Sequence, residues 1–235
     1  MNSEAPSRQP EIASPEAGDA LARELRGFGP LGLLAILIIL AGNIVVPPMS
    51  AVLALIWARR SHTPWREIGY VRPKNWVATV AIGLAFGIVF KLVLKSAVMP
   101  LLGAPDINQT YHYLAGNRAA IPGTLWLLIA GAGFGEETIF RGYMFERLGK
   151  LFGSSLIAQT AIVLITTTLF ALAHYSTQGW AGTEQGAITG FVFGSIFAFT
   201  GRIFMLMCAH AAFDLTAYAL IYWGLETNVA HWLFR

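Results

Sequence analysis

The sequence predicts an all-α fold, a polytopic transmembrane bundle of six to eight helices. Composition, the length of the apolar runs and the charge of the loops predict it. Of the 235 residues 55% are hydrophobic and 12% charged, and the mean hydropathy of +0.58 is too high for a domain whose surface must face water. Charge-free apolar stretches near the roughly 20 residues that cross a bilayer cover 28–57, 76 to about 102, 119 onward, 151–173, 186–201 and 203–225. A net charge of +3 spread over several loops is too thin for a nucleic-acid footprint, so nucleic acid is not an expected partner and the lipid bilayer is. A single cysteine, Cys208, excludes an intrachain disulfide and any multi-thiolate metal site within one chain.

Taken in order, residues 1–27 are rich in Ala, Glu, Pro and Ser without apolar periodicity, which predicts a disordered tail ahead of a membrane domain over 28–235. The run that follows is far longer than the h-region of a signal peptide and ends in Arg59-Arg60 rather than at a small-residue cleavage site, so it is expected to stay in the membrane. As one helix 28–57 would rise about 45 Å, yet Pro47-Pro48 breaks it, which leaves one kinked span or two short ones. Arg59, Arg60, Arg66, Arg72 and Lys74, together with Arg141, Arg147, Lys150 and Arg202, fall on one side by span counting. The basic side is expected to be cytoplasmic, which puts the loops at 103–118 and 174–185 and the C-terminus outside and leaves the side of the N-terminus open. Lys91 and Lys95, near the end of the second span, read as lysines whose stems follow lipid while their amines snorkel to the headgroups. Gly186, Gly190 and Gly194 form a doubled GxxxG, a stripe for close helix packing.

Ionisable residues within apolar sequence are costly unless paired or hydrated, and three clusters stand out. In Gly135-Glu136-Glu137-Thr138-Ile139-Phe140-Arg141, Glu137 and Arg141 are spaced to pair along one helix face. Glu136 points about 100° away from Glu137 and has no partner in its own helix. Phe170-Ala171-Leu172-Ala173-His174 closes the fourth span, and His210-Ala211-Ala212-Phe213-Asp214 lies inside the last. A carboxylate able to take a proton, imidazoles able to donate or shuttle one and a dry surrounding are the parts needed to activate water against a carbonyl. They equally resemble a metal site. For Glu136, His174, His210 and Asp214 all to serve packing, three adjacent spans would have to tolerate four costly groups for no return. His62, His112 and His231, in loops or at the C-terminus, carry no expected chemistry, and Glu146, Arg147 and Lys150 read as a solvated amphipathic turn. There is no HExxH, GxSxG or P-loop.

In order, Glu136-Glu137-x-x-x-Arg141, Phe170-x-x-x-His174 and His210-x-x-x-Asp214 resemble the three motifs of the CPBP family, which comprises type II CAAX prenyl endopeptidases and bacteriocin-processing or self-immunity (Abi) proteins. The resemblance covers about 60–220, since Trp65-Arg66-Glu67-Ile68-Gly69-Tyr70-Val71-Arg72-Pro73-Lys74 is also similar to the loop that precedes the family's core, here about 119–220. It implies an intramembrane endopeptidase whose helices enclose a catalytic cavity that admits a peptide or a C-terminal protein tail, prenylated or not. Glu136 would be the general base, His174 would assist it, and His210 with the residue four further on would stabilise the oxyanion. Glu137 and Arg141 would hold their helix in place, and Phe170 would pack beside the site. A second view of the family makes His174, His210 and Asp214 ligands of a divalent metal such as zinc, which suits their chemistry.

The chain departs from the prenyl endopeptidases at Asp214, where they typically carry Asn. An ionised Asp would repel an oxyanion, so Asp214 must be protonated, orient His210 or bind a metal. The resemblance implies a multi-pass protein of a bacterial-type inner (plasma) membrane. Two other classes of function fit some of the same residues. A proton-coupled transporter would use buried Glu, Arg and His as relays but predicts an inverted repeat, which the sequence does not clearly show. A non-catalytic immunity or scaffold protein would tolerate Glu136→Gln with function retained.

Overall fold

The structure is a computed structural model that describes residues 15–234. The described residues form helices joined by loops and turns, without a strand. Residues 15–26, expected to be disordered, form helix α1 (Pro15–Arg26), while 1–14 lie outside the described residues. Tertiary docking overrides the local entropy argument there. Trp57 donates its indole N–H to the Leu25 carbonyl at 2.9 Å, and both terminal nitrogens of Arg147 donate to the Arg26 carbonyl at 3.0 Å. The solvated turn expected at Glu146, Arg147 and Lys150 is corrected by the same contacts. Glu146 and Arg147 are buried as an adjacent pair, and Arg147 lies over the rings of Phe28 and Trp57.

The first apolar run breaks at Pro47-Pro48, as the sequence predicts. It folds into α2 (Pro30–Val45) and α3 (Met49–Arg60), which turn back on each other at the prolines. Their reciprocal clasp is the Asn43 N–H to Ser50 Oγ at 2.9 Å and the Ser50 N–H to Asn43 Oδ1 at 3.0 Å.

Four helices are long and apolar enough to cross a membrane: α4 (Trp76–Leu101), α5 (Arg118–Phe152), α6 (Leu156–Thr200) and α7 (Phe204–Tyr222). A fifth is present if Gly18–Arg26 and Pro30–Val45, bent by 64°, count as one broken span. A short α8 (Glu226–Ala230) follows. The protein is thus an integral membrane protein. Fewer helices are counted than apolar runs because 28–57 yields two helices shorter than a span and because 151–173 and 186–201 share α6. At 45 residues α6 would be about 68 Å long if straight, more than twice a hydrocarbon core. It is instead two rods meeting at Gly179, whose φ of 63° and ψ of −159° suit glycine alone. The glycine stripe packs the halves antiparallel. Gly186 lies against Ala171 and His174, Gly190 against Thr167 and Phe170, and Gly194 against Val163. That is the packing role expected of the doubled GxxxG.

One end of the bundle gathers the basic loop. Glu67 accepts from Arg26 and pairs with Lys150 at 3.0 Å, and the Ile203 N–H donates to the Gly69 carbonyl. Burial raises the Glu67 carboxyl, but its hydrogen bonds from Lys150 and Arg26 outweigh that and hold it below its ordinary value. The opposite end gathers the 103–118 loop and the C-terminal turn, joined by Gly116 N–H to Tyr222 carbonyl and by His231 to Asp106 at 3.1 Å.

Candidate active site

Helix α5 brings the first cluster to the centre. Over Leu127–Glu136 and Thr138–Tyr143 its turns widen to π-helical hydrogen bonding, a distortion frequent at functional sites. Gly133 lets it press on α7, since a Cβ there would meet the Ala211 Cβ at 2.9 Å and the Met207 carbonyl at 3.0 Å. Tyr70, from the Trp65–Lys74 segment, pins the same stretch. Thr138 gives its hydroxyl proton to the Phe134 carbonyl at 2.6 Å, so at 2.8 Å Tyr70 must donate to Thr138. Burial pushes the Tyr70 hydroxyl up to about 12, so it keeps that proton.

Glu137 is the structural carboxylate. Its side chain is 0% exposed, and its Oε1 accepts from Arg141 at 2.9 Å and from His210 Nδ1 at 2.6 Å. The expected Glu137–Arg141 pair is therefore formed, and the guanidinium also lies 4.7 Å from the Phe170 ring and 5.5 Å from Phe193. Because a carboxylate accepts, His210 presents Nδ1–H to Glu137 and turns Nε2 the other way. Glu136 Oε2 at 3.7 Å and Asp214 Oδ2 at 3.6 Å face that nitrogen. These gaps exceed direct hydrogen bonds, and Glu136 Oε2 is a buried atom without a hydrogen-bond partner among the described residues. Glu136 and Asp214 keep 27% and 24% of their side-chain surface exposed. The adjacent glutamates are thus sorted by burial, one facing open space and one holding the frame.

The second cluster meets the first through Phe170, whose ring is 4.6 Å from that of His174 and 5.9 Å from that of His210. His174 Nδ1 donates to the Phe170 carbonyl at 2.8 Å, which leaves Nε2 with the lone pair in the neutral ring. Straight spans counted from the cytoplasmic side do not align the two histidines. In the structure α6 starts at Leu156 and the two histidine rings flank Phe170.

Glu136, His174, His210 and Asp214 line one cavity of about 300 Å³, shared with Asn43, Tyr111, Gln178, Gln185 and Tyr218. Tyr111 hangs over it from the 103–118 loop, where burial and then the Asp214 charge push its hydroxyl above the ordinary value. Among the described residues no three His, Cys, Asp or Glu converge as they would to hold a metal ion. Each histidine has committed Nδ1 to a neighbour, His210 to a carboxylate and His174 to a carbonyl, which leaves Nε2 as the nitrogen through which either would bind a metal.

The sequence reading missed two features. The Glu137–His210 bond joins residues 73 apart and leaves no local signature. Lys91 was expected to snorkel, but it is buried and donates to Gln185 Oε1 at 2.7 Å. It lies about 15 Å along the axis from Leu101, and that depth was the available signal. Lys95 does not snorkel either. It pairs with Glu226 at 3.9 Å and donates to the Asp106 carbonyl. His62, His112 and His231 do not line the cavity.

Carboxylates and imidazoles thus gather beside a cavity among apolar, membrane-length helices. Residues 118–216 match the family described as type II CAAX prenyl endopeptidase Rce1-like, a protease family. The matched segment contains every motif residue from Glu136 to Asp214 and bears out the CPBP resemblance. Comparison with curated proteins and with solved structures returns no match.

Proposed function

We propose that this protein is an intramembrane endopeptidase that hydrolyses a peptide bond with water activated by Glu136. The observation that carries the reading is the contrast within one Glu-Glu pair. Glu137 is sealed and holds His210, while Glu136 reaches the cavity and faces His210 Nε2 across 3.7 Å. Water in the cavity beside the Glu136 carboxyl would give a proton to Glu136 and attack the carbonyl carbon. His174 Nε2, free of other bonds, would take part in moving that proton to the leaving amine. His210, fixed by Glu137 and doubly protonated as an imidazolium, would present its Nε2–H to the oxyanion, with Asp214 beside it on the cavity wall. Arg141 and Phe170 would hold the frame. The substrate would be a peptide or the C-terminal tail of a membrane protein, prenylated or not, in a bacterial-type inner membrane. The helices would enclose the catalytic cavity within the bilayer, and the chemistry is read for side chains without a resident metal.

The test is to reconstitute the protein in liposomes with a pool of membrane-anchored peptides in heavy-oxygen water and read new termini by mass spectrometry. The reading expects one heavy oxygen in each new carboxylate. Absence of any cleavage, or movement of protons or solutes across the liposome without cleavage, would replace it with the silent-scaffold or transporter reading.

A further inference from the structure

Lys91 has no part in the reaction described above. It lies on α4, outside the matched segment 118–216, and is 7% exposed. Its ammonium has three donors. Gln185 Oε1 takes one at 2.7 Å, the Phe213 ring centre is 4.8 Å away, and Lys91 forms no ion pair among the described residues. Lys95, one turn on, is by contrast satisfied by Glu226 and the Asp106 carbonyl. A lysine this deep in apolar helices is costly to keep unless it serves a ligand.

Its place says which ligand. Lys91 stands where two cavities meet, the one of about 300 Å³ that holds Glu136, His210 and Asp214 and a second of about 190 Å³. Asn108, Gln178 and Gln185 line both with it, so the shared wall offers a cation ringed by amides. Glu136 and Asp214 would repel an anion from the first cavity, while in the second the one carboxylate among the described lining residues, Glu226, is paired with Lys95 and the open donors of Lys91 would attract an anion.

We propose that Lys91 anchors a subsite for a carboxylate of the peptide substrate, held in the second cavity while the scissile bond lies at Glu136 and His210. The subsite rests on the proteolytic reading and sets the direction in which the peptide lies. A chain terminus and an acidic side chain supply the same chemistry, and the test separates them.

In the Glu136→Gln protein, which would bind without turnover, the affinity of three labelled apolar hexapeptides is measured by fluorescence anisotropy in detergent. One is a free acid, one is its C-terminal amide, and one is the amide with a single internal Glu. The free acid, the Glu peptide or both should bind about tenfold tighter than the neutral amide, and Lys91→Met in the same background should level the affinities to within about twofold. Preference for the free acid identifies the terminus, and preference for the Glu peptide identifies a side chain. Lys91→Arg should keep the preference, and Lys91→Gln serves where Lys91→Met does not fold by thermal unfolding. Equal affinity for all three peptides, or a preference that survives loss of the Lys91 charge, overturns the subsite. Cleavage by the wild type is scored separately, so failure of the proteolytic reading is distinguishable from failure of the subsite.

Discussion

Replacing Arg141 by alanine removes the cation that faces the sealed Glu137 carboxylate. Arg141 and Glu137 side chains are 2% and 0% exposed, so water cannot replace the lost partner. Breaking a buried pair by removing one member costs about 3–5 kcal/mol, because a charge is left uncompensated. Loss of the guanidinium from above Phe170 and Phe193 adds about 0.5–2 kcal/mol. The His210 bond to Glu137 remains and places the net cost in the lower part of the resulting range of about 3.5–7 kcal/mol, at about 3.5–5 kcal/mol. At 2–4 °C per kcal/mol for a chain of this size, that is a fall in Tm of roughly 7–20 °C. Thermal unfolding of wild type and Arg141→Ala in one detergent reads it, with peptide cleavage measured alongside. Unchanged unfolding would refute the sealed pair as the frame of the site, even if activity fell.

Gly179→Ala should destabilise by about 1–3 kcal/mol, since its backbone sits in a region open to glycine although no atom crowds a Cβ there; an unchanged Tm would contradict the turn. Asp214→Asn should leave the fold intact and keep turnover within about tenfold of wild type, because an amide can donate where a carboxylate repels an oxyanion. A loss above a hundredfold would show that the carboxylate itself is required. Glu67, whose carboxyl is held below its ordinary value, should contribute stability that is fully present above the ordinary carboxylate pKa of about 4.3 and lost as pH falls through its lower folded value. Lys150→Met should flatten that acid limb in Tm measured against pH, and an unaltered limb would exclude the ion pair as its source.

Much of the site was legible because the bilayer makes each ionisable group expensive. Glu136, Glu137, Arg141, His174, His210 and Asp214 stood out for that reason alone, and the i,i+4 spacing gave the Glu137–Arg141 pair directly. What divides the two glutamates was not legible. The Glu137–His210 bond depends on how α5 meets α7, and the π-helical stretch that aims Glu136 has no simple periodicity. The glycine stripe announced close packing, but the partner proved to be the other half of its own helix, because hydropathy sees apolar length and not a single left-handed Gly179. Residues 15–26 were misjudged for the opposite reason. Their local propensity is weak, and docking against Trp57, Glu67 and Arg147 decides their structure. Lys91 looked like a snorkelling lysine until α6 placed Gln185 beside it.

The central claim is that Glu136 activates the attacking water and does not hold the fold. Its most direct test is single-turnover cleavage by wild type and Glu136→Gln, with thermal unfolding and elemental analysis on the same samples. The account predicts a fall in cleavage of at least about a thousandfold, equivalent to about 4 kcal/mol, with Tm unchanged and no stoichiometric metal in either protein. Substantial cleavage by Glu136→Gln, or one equivalent of zinc that is lost with His210→Ala, would contradict it.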